Sequence, residues 1–146
     1  NLGLDLKGGM NVMMEVSTKD VLKNLATNPN DPELTKLIDL AEKDHAETGD
    51  RFIDCFERVI DKATQNSKID LSAFFRVKLK EQGITANSTN ADVIRAIRQE
   101  CTDAYDRTFQ VLSKRIDKFG VAQPTIQKLE ATERIAIEFP GVKDPQ

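Results

Sequence analysis

The stretch from Ala91 to Gly141 constrains the fold more than any other. Apolar residues recur at Ile94, Ile97, Cys101, Ala104, Tyr105, Phe109, Leu112, Ile116 and Phe119. Steps of three and four place them on one face of a 3.6-residue repeat, so the spacing predicts one long amphipathic helix. Asn90 is the expected N-cap, with Asp92 in the first turn, where negative charge suits the helix dipole. Lys114, Arg115 and Lys118 crowd the last turn. Gly120 is expected in the left-handed position that ends a helix, with Val121 folding back on the last turn. Pro124 then prevents the helix from resuming. After this break the period changes to two. Thr125 to Leu129 reads as a short strand, and Glu130 to Glu133 as a turn without Gly or Asn. Arg134 to Phe139 alternates, with Ile135, Ile137 and Phe139 on one face and Arg134 and Glu138 on the other. Pro140-Gly141 ends it. A helix of roughly 40 Å, at about 1.5 Å per residue, carries an apolar stripe that must be covered. A sheet with one apolar face is the natural cover.

The opposite end of the chain supplies more of that sheet. Leu2, Leu4, Leu6, Met10, Val12, Met14 and Val16 all fall on even positions. The alternation passes through Gly8-Gly9 without losing register, as one long strand or as two joined at a bend. A phosphate-cradling reading of the glycine pair lacks the longer glycine pattern, the lysine and the immediate helix that it needs. Between this strand and the long helix, Thr18 to Gly83 reads as all helical. Thr18 is the expected cap of a helix burying Val21, Leu22 and Leu25. Asp31-Pro32 starts a helix burying Leu34, Leu37, Ile38 and Ala41. Arg51 to Thr64 buries Phe52, Ile53, Phe56, Val59 and Ile60. Asp70 caps a helix with Leu71, Phe74, Phe75 and Leu79 inward, continuing to Gly83. The fold class is therefore α+β: an antiparallel sheet with a long packed helix, plus an inserted helical segment. Residues 1–17 and 84–146 form the base, and 18–83 form a helical insertion packed on or beside it.

Chemistry-bearing patterns are few. With 21 basic and 24 acidic residues, net charge −3, the chain lacks the basic stripe of a nucleic-acid binder. Cys55 and Cys101 each lie on an apolar helix face, which reads as buried thiols, with a disulfide the alternative in an oxidising compartment. No CxxC or Cys/His cluster points to zinc. His45, the single histidine, reads as a solvated surface residue. The carboxylates Asp39, Glu42, Asp44, Glu47, Asp54, Glu57 and Asp61 alternate with Lys36, Lys43, Arg51, Arg58 and Lys62. That is a solvated helix face with i,i+4 pairs. No nucleophile–base arrangement is present, so the residues alone read as a binding or structural module that needs no cofactor or metal.

Two segments carry a resemblance. Gly3-Leu4-Asp5-Leu6-Lys7-Gly8-Gly9, followed by an alternating strand, resembles the opening of the periplasmic region of the SecD family of protein-export membrane proteins. The run containing Arg115, Asp117, Gly120, Val121 and Pro124 is similar to that family's Arg-Ile/Val-Asp-x-x-Gly-Val-x-x-Pro pattern. The run containing Arg134, Pro140, Gly141 and Asp144 is similar to its Asp-Arg-Ile-x-Val-x-Leu-Pro-Gly-Val-x-Asp-Pro pattern, with Glu133 for Asp and Phe139 for Leu. Together these cover roughly a third of the chain. The helices from Thr18 to Gly83 depart from the shorter, partly β segment expected of the family and suggest a lineage-specific elaboration. The resemblance implies a non-catalytic periplasmic piece of a multi-pass inner-membrane protein, working with SecF, the SecYEG channel and translocating preprotein, powered by the proton gradient. It implies the first half of a ferredoxin-like βαββαβ fold, whose exposed strand edge would favour an edge-to-edge dimer. A free-standing ferredoxin-like module for a peptide or ligand is the alternative, and a small enzyme the third reading.

Overall fold

The structure, a computed structural model, describes residues 10–118 and 124–140. Expectations resting on Leu2, Leu4, Leu6, the Gly8-Gly9 pair, Phe119, Gly120 and Val121 lie outside the described residues. The chain divides into two compact units, residues 17–103 and residues 1–16 with 104–146.

The first unit is helical. It contains α1 (Thr18–Leu25), α2 (Pro32–Thr48), α3 (Phe52–Ala63), α4 (Leu71–Phe75), a 3-10 turn at Lys80–Gln82, and the start of α5 (Asn90–Lys118). Asp31 caps α2 through its carboxylate, accepting from the amides of Glu33 and Leu34. Gly49, at φ 74°, ends it. The inward faces are those the spacing marks: Leu22, Leu34, Leu37, Ile38, Ala41, Phe52, Ile53, Phe56 and Ile60 are buried. Ile69, Ile84 and Val93 complete the core and were not expected there.

Three local expectations need correction. Ser17, not Thr18, caps α1, its hydroxyl accepting from Asp20 N–H at 3.2 Å, while Thr18 is buried. The helix after Asp70 stops at Phe75 instead of running to Gly83. The Phe74 carbonyl there receives Thr27 N–H at 2.9 Å, so a distant loop competes for a carbonyl that would continue the helix. Asn90 is not the N-cap of α5. Thr89 Oγ1 accepts from Asp92 N–H and Asp92 Oδ2 accepts from Thr89 N–H, a reciprocal capping box. Asn90 instead accepts from Leu71 N–H and donates to the Ile69 carbonyl, tying the loop before α4 to the head of α5.

The second unit is a sheet covered by a helix. Strands β1 (Met10–Glu15), β2 (Thr125–Leu129) and β3 (Arg134–Phe139) form an antiparallel sheet in the order β1-β3-β2. Val12 and Ile126 both lie opposite Ile137. Tyr105 and Ile116 of α5 are buried with Ile135 and Ile137, and Phe109, Leu112, Val12, Val16, Ile126 and Phe139 pack around them. Only the later part of the α5 stripe, Tyr105 to Ile116, thus covers the apolar face of the sheet; Ile94, Ile97 and Cys101, expected on the same cover, belong to the core of the helical unit. Met14, on the inward register between Val12 and Val16, is 37% exposed. The turn between β2 and β3 is a 3-10 turn, Glu130–Thr132, closed by Glu133 at φ 58°. A non-glycine residue rarely adopts that left-handed conformation.

Candidate functional site

Within the sheet unit, polar contacts fasten α5 to the hairpin. Tyr105 O–H donates to the Arg134 carbonyl at the start of β3. Burial pushes its phenol above the ordinary value. Lys128 of β2 donates to Asp106 Oδ1 at 3.0 Å and lies 4.9 Å from the centre of the Phe109 ring. The hydrogen bond to Asp106 holds its ammonium above the usual lysine range. Arg134 Nε reaches Glu15 Oε2 at 3.3 Å, joining β3 to β1 on the outward face.

The residues of the sequence motif are placed as follows. Arg115 is exposed on α5, and Asp117 lies in the last turn of that helix. Half-buried Pro124 precedes β2, Arg134 opens β3, and exposed Pro140 follows it. Gly3, Leu4, Asp5, Leu6, Lys7, Gly8, Gly9, Gly120, Val121, Gly141 and Asp144 lie outside the described residues.

In the helical unit, most ion pairs among the described residues run between elements, Arg95–Asp92 within α5 being the exception at 3.2 Å. Arg58 of α3 reaches Asp44 of α2 at 2.6 Å and Asp50 at 3.0 Å. Its hydrogen bond holds the Asp44 carboxyl below the ordinary range. Arg98 of α5 clamps Asp54 and Glu57 of α3, each at 2.8 Å. Lys19 of α1 reaches Glu42 of α2 at 3.0 Å. An i,i+4 reading of the charges misses the pairs between elements, because the partners come from tertiary packing. A shallow groove of about 470 Å³ on α2 and α3 is lined by Leu40, Val59 and Ala63 together with Lys43, Arg58 and Lys62. Among the described residues, Cys55 and Cys101 form no disulfide. Cys55 is buried, which pushes its thiol above the usual value and leaves little reactive thiolate. His45 is not simply solvated: it is half-buried, its Nδ1 2.5 Å from the Asp50 carbonyl and its ring 5.9 Å from that of Phe52.

Among the described residues, no cluster of His, Cys, Asp and Glu has the geometry to hold a metal ion. No buried side-chain nitrogen or oxygen among them lacks a hydrogen-bond partner. Nor is any helix among them long and apolar enough to cross a membrane.

Comparison with known proteins places these units in context. Residues 105–146 match the family described as protein translocase subunit SecDF, P1 domain, N-terminal. That match begins one residue beyond the first position of the sheet unit's share of α5. The protein translocase subunit SecD of Rhodothermus marinus is 37% identical over 99% of this chain and 22% of its own length. SecD of Calditerrivibrio nitroreducens is 31% identical over all of this chain and 29% of its own length. SecD of Escherichia coli is 26% identical over 98% of this chain and 23% of its own length. The chain thus spans between about a fifth and a third of these relatives. Alignments this complete run through the helical unit as well, so its helices are not an elaboration confined to one lineage. No solved structure is matched. The long helix on its hairpin, the motif runs that flank their junction, and the end-to-end alignments together show that the chain belongs to the SecD family of protein translocase subunits.

Proposed function

We propose that this chain is a non-catalytic periplasmic segment of a SecD-type subunit, supporting preprotein export by the Sec translocase under the proton-motive force. The observation that carries the reading is the alignment with Rhodothermus marinus SecD, 37% identical and continuous over 99% of the chain. The parent is a multi-pass protein of the bacterial inner membrane, and SecF, the SecYEG channel and the moving preprotein are its partners. The motif residues Gly3 to Gly9, Arg115, Asp117, Gly120, Val121, Pro124, Arg134, Pro140, Gly141 and Asp144 serve this segment structurally. The sheet unit is the first half of a ferredoxin-like βαββαβ arrangement: the order β1-β3-β2 leaves the outer edge of β1 for a fourth strand.

The test is a chimaera in which residues 1–146 replace the corresponding segment of Escherichia coli SecD, in cells depleted of their own SecD. Export of a signal-bearing reporter is expected to recover. A chimaera that reaches the membrane at normal abundance yet leaves export at the depleted level refutes the reading.

A further inference from the structure

The outer side of α5 carries a feature that its packing on the sheet does not explain. Arg107, Val111, Lys114 and Arg115 follow at steps of four, three and one, so they share one strip of the helix. Tyr105, Phe109, Leu112 and Ile116, which cover the sheet, occupy the opposite side. The three cations are exposed, and Val111 between them is 46% exposed. Among the described residues, none of the three has an ion pair. The other cations of this unit's described core differ: Lys128 is held by Asp106 and Arg134 by Glu15. Asp106, beside Arg107 in sequence, is bound to Lys128.

Two ordinary explanations fall short. Cations favour the C-terminal turn of a helix, which accounts for Lys114 and Arg115. It does not account for Arg107, since the dipole's effect fades within the last turn. A merely solvated face mixes signs, yet residues 107–115 hold three cations and no acid in a chain of net −3. Of the other acids near it, Asp103, one turn before Arg107, accepts from Gln99, while Glu15 and Glu138 lie on the strands and Glu130 and Glu133 in the turn. The positive strip therefore extends over just over two turns, from Arg107 to Arg115.

We propose that this strip of α5 docks the chain on an anionic phospholipid surface. Arg107, Lys114 and Arg115 meet headgroup phosphates, and Val111 enters the interface between them. A single helix face is convex and offers no walls to hold an acidic peptide, whereas a planar array of headgroups fits it. The apolar face of α5 is already committed to the sheet, so the attraction is electrostatic and salt-sensitive, unlike that of a helix lying with its greasy side in the bilayer. The docking does not depend on the export reading, because vesicles alone test it.

The experiment is co-sedimentation of the 146-residue chain with vesicles of phosphatidylglycerol and phosphatidylcholine in equal parts, against phosphatidylcholine alone. Binding is expected only to the anionic vesicles and is expected to fade at high salt. Arg107→Gln with Lys114→Gln and Arg115→Gln should lower the partition coefficient on the order of a hundredfold, from the usual worth of each cation near such a surface. Val111→Asp should lower it as well. Circular dichroism checks that the helix persists. Should the triple variant lose helicity, Arg107→Gln and Val111→Asp tested singly decide. Equal binding to both vesicle types, or unchanged binding by those variants, overturns the proposal. So does an oligoglutamate peptide that binds the chain more tightly than the vesicles and competes them off, which would make the strip a protein dock.

Discussion

Ile135→Ala separates the two cores. Ile135 is fully buried in β3, facing Met14 of β1 and Lys128 of β2 in register, beneath Tyr105 and Ile116. Truncating a buried isoleucine to alanine costs about 2–5 kcal/mol, the upper values where the site cannot collapse. Only Tyr105, Ile116, Ile135 and Ile137 are buried in this core among the described residues. At about 1.5–3 kcal/mol per buried side chain, four contribute roughly 6–12 kcal/mol before any entropy is subtracted. The substitution therefore removes a large share of what holds the sheet unit. The helical unit has its own, larger core around Phe56, Phe75, Ile53 and Ile97. Native-state hydrogen exchange reads both at once. Protection of the β1 and β3 amides, and of α5 from Tyr105 to Ile116, should fall by about thirtyfold or more, the equivalent of about 2 kcal/mol. Amides of α2 and α3 should change by less than about threefold. Equal loss of protection in α2 and α3 would show that the chain unfolds as one block, and the argument from two cores would be wrong.

Other substitutions probe single contacts. Val16 N–H bonds to the Glu133 carbonyl, so by the register Asn11, Met13 and Glu15 direct their backbone groups away from β3, toward an edge that meets no strand among the described residues. Sedimentation velocity should show concentration-dependent dimers that Met13→Pro abolishes, and a strict monomer at high concentration refutes edge pairing. Thr89→Ala should cost about 1 kcal/mol in chemical denaturation by opening the capping box of α5, and no loss would discount the cap. The hydrogen bond from Thr89 N–H holds the Asp92 carboxyl below its ordinary value. Its contribution is thus complete above the usual carboxylate range and lost as pH falls through the lowered value. Asp92→Asn should flatten that acid limb of stability. Glu133→Asn should raise the melting temperature of the sheet unit by relieving about 0.5–1 kcal/mol at φ 58°, and a lower melting temperature would mean the glutamate side chain matters more than its backbone.

What the sequence discloses here, and what it conceals, divides along the reach of each interaction. The stripe of α5 and the alternation of β3 are legible because burial imposes a period on neighbours in the chain, and that period survives whatever the partner surface is. The family motif is legible for the same reason of locality, as runs of consecutive residues. The helix heads are less so. Asn90 and Thr89 are adjacent and both suit an N-cap, and only the amide of Leu71 and the carbonyl of Ile69 decide that Asn90 is used elsewhere. Those groups lie some twenty positions away, beyond any local pattern. The early end of α4 has the same origin, since Thr27 claims the Phe74 carbonyl from a separate loop. Charges are the extreme case. The acids and bases of α2 and α3 fit an i,i+4 ladder on paper, yet Arg58 and Arg98 each reach two acids outside their own turn. An arginine fork satisfied by two carboxylates on a neighbouring element gains more than one exposed intrahelical pair. Packing brings such partners together, and a linear pattern of signs carries no record of it. The positive strip of α5 is legible as spacing, but that Asp106 beside it is bound to Lys128 of β2 is a property of the folded unit alone.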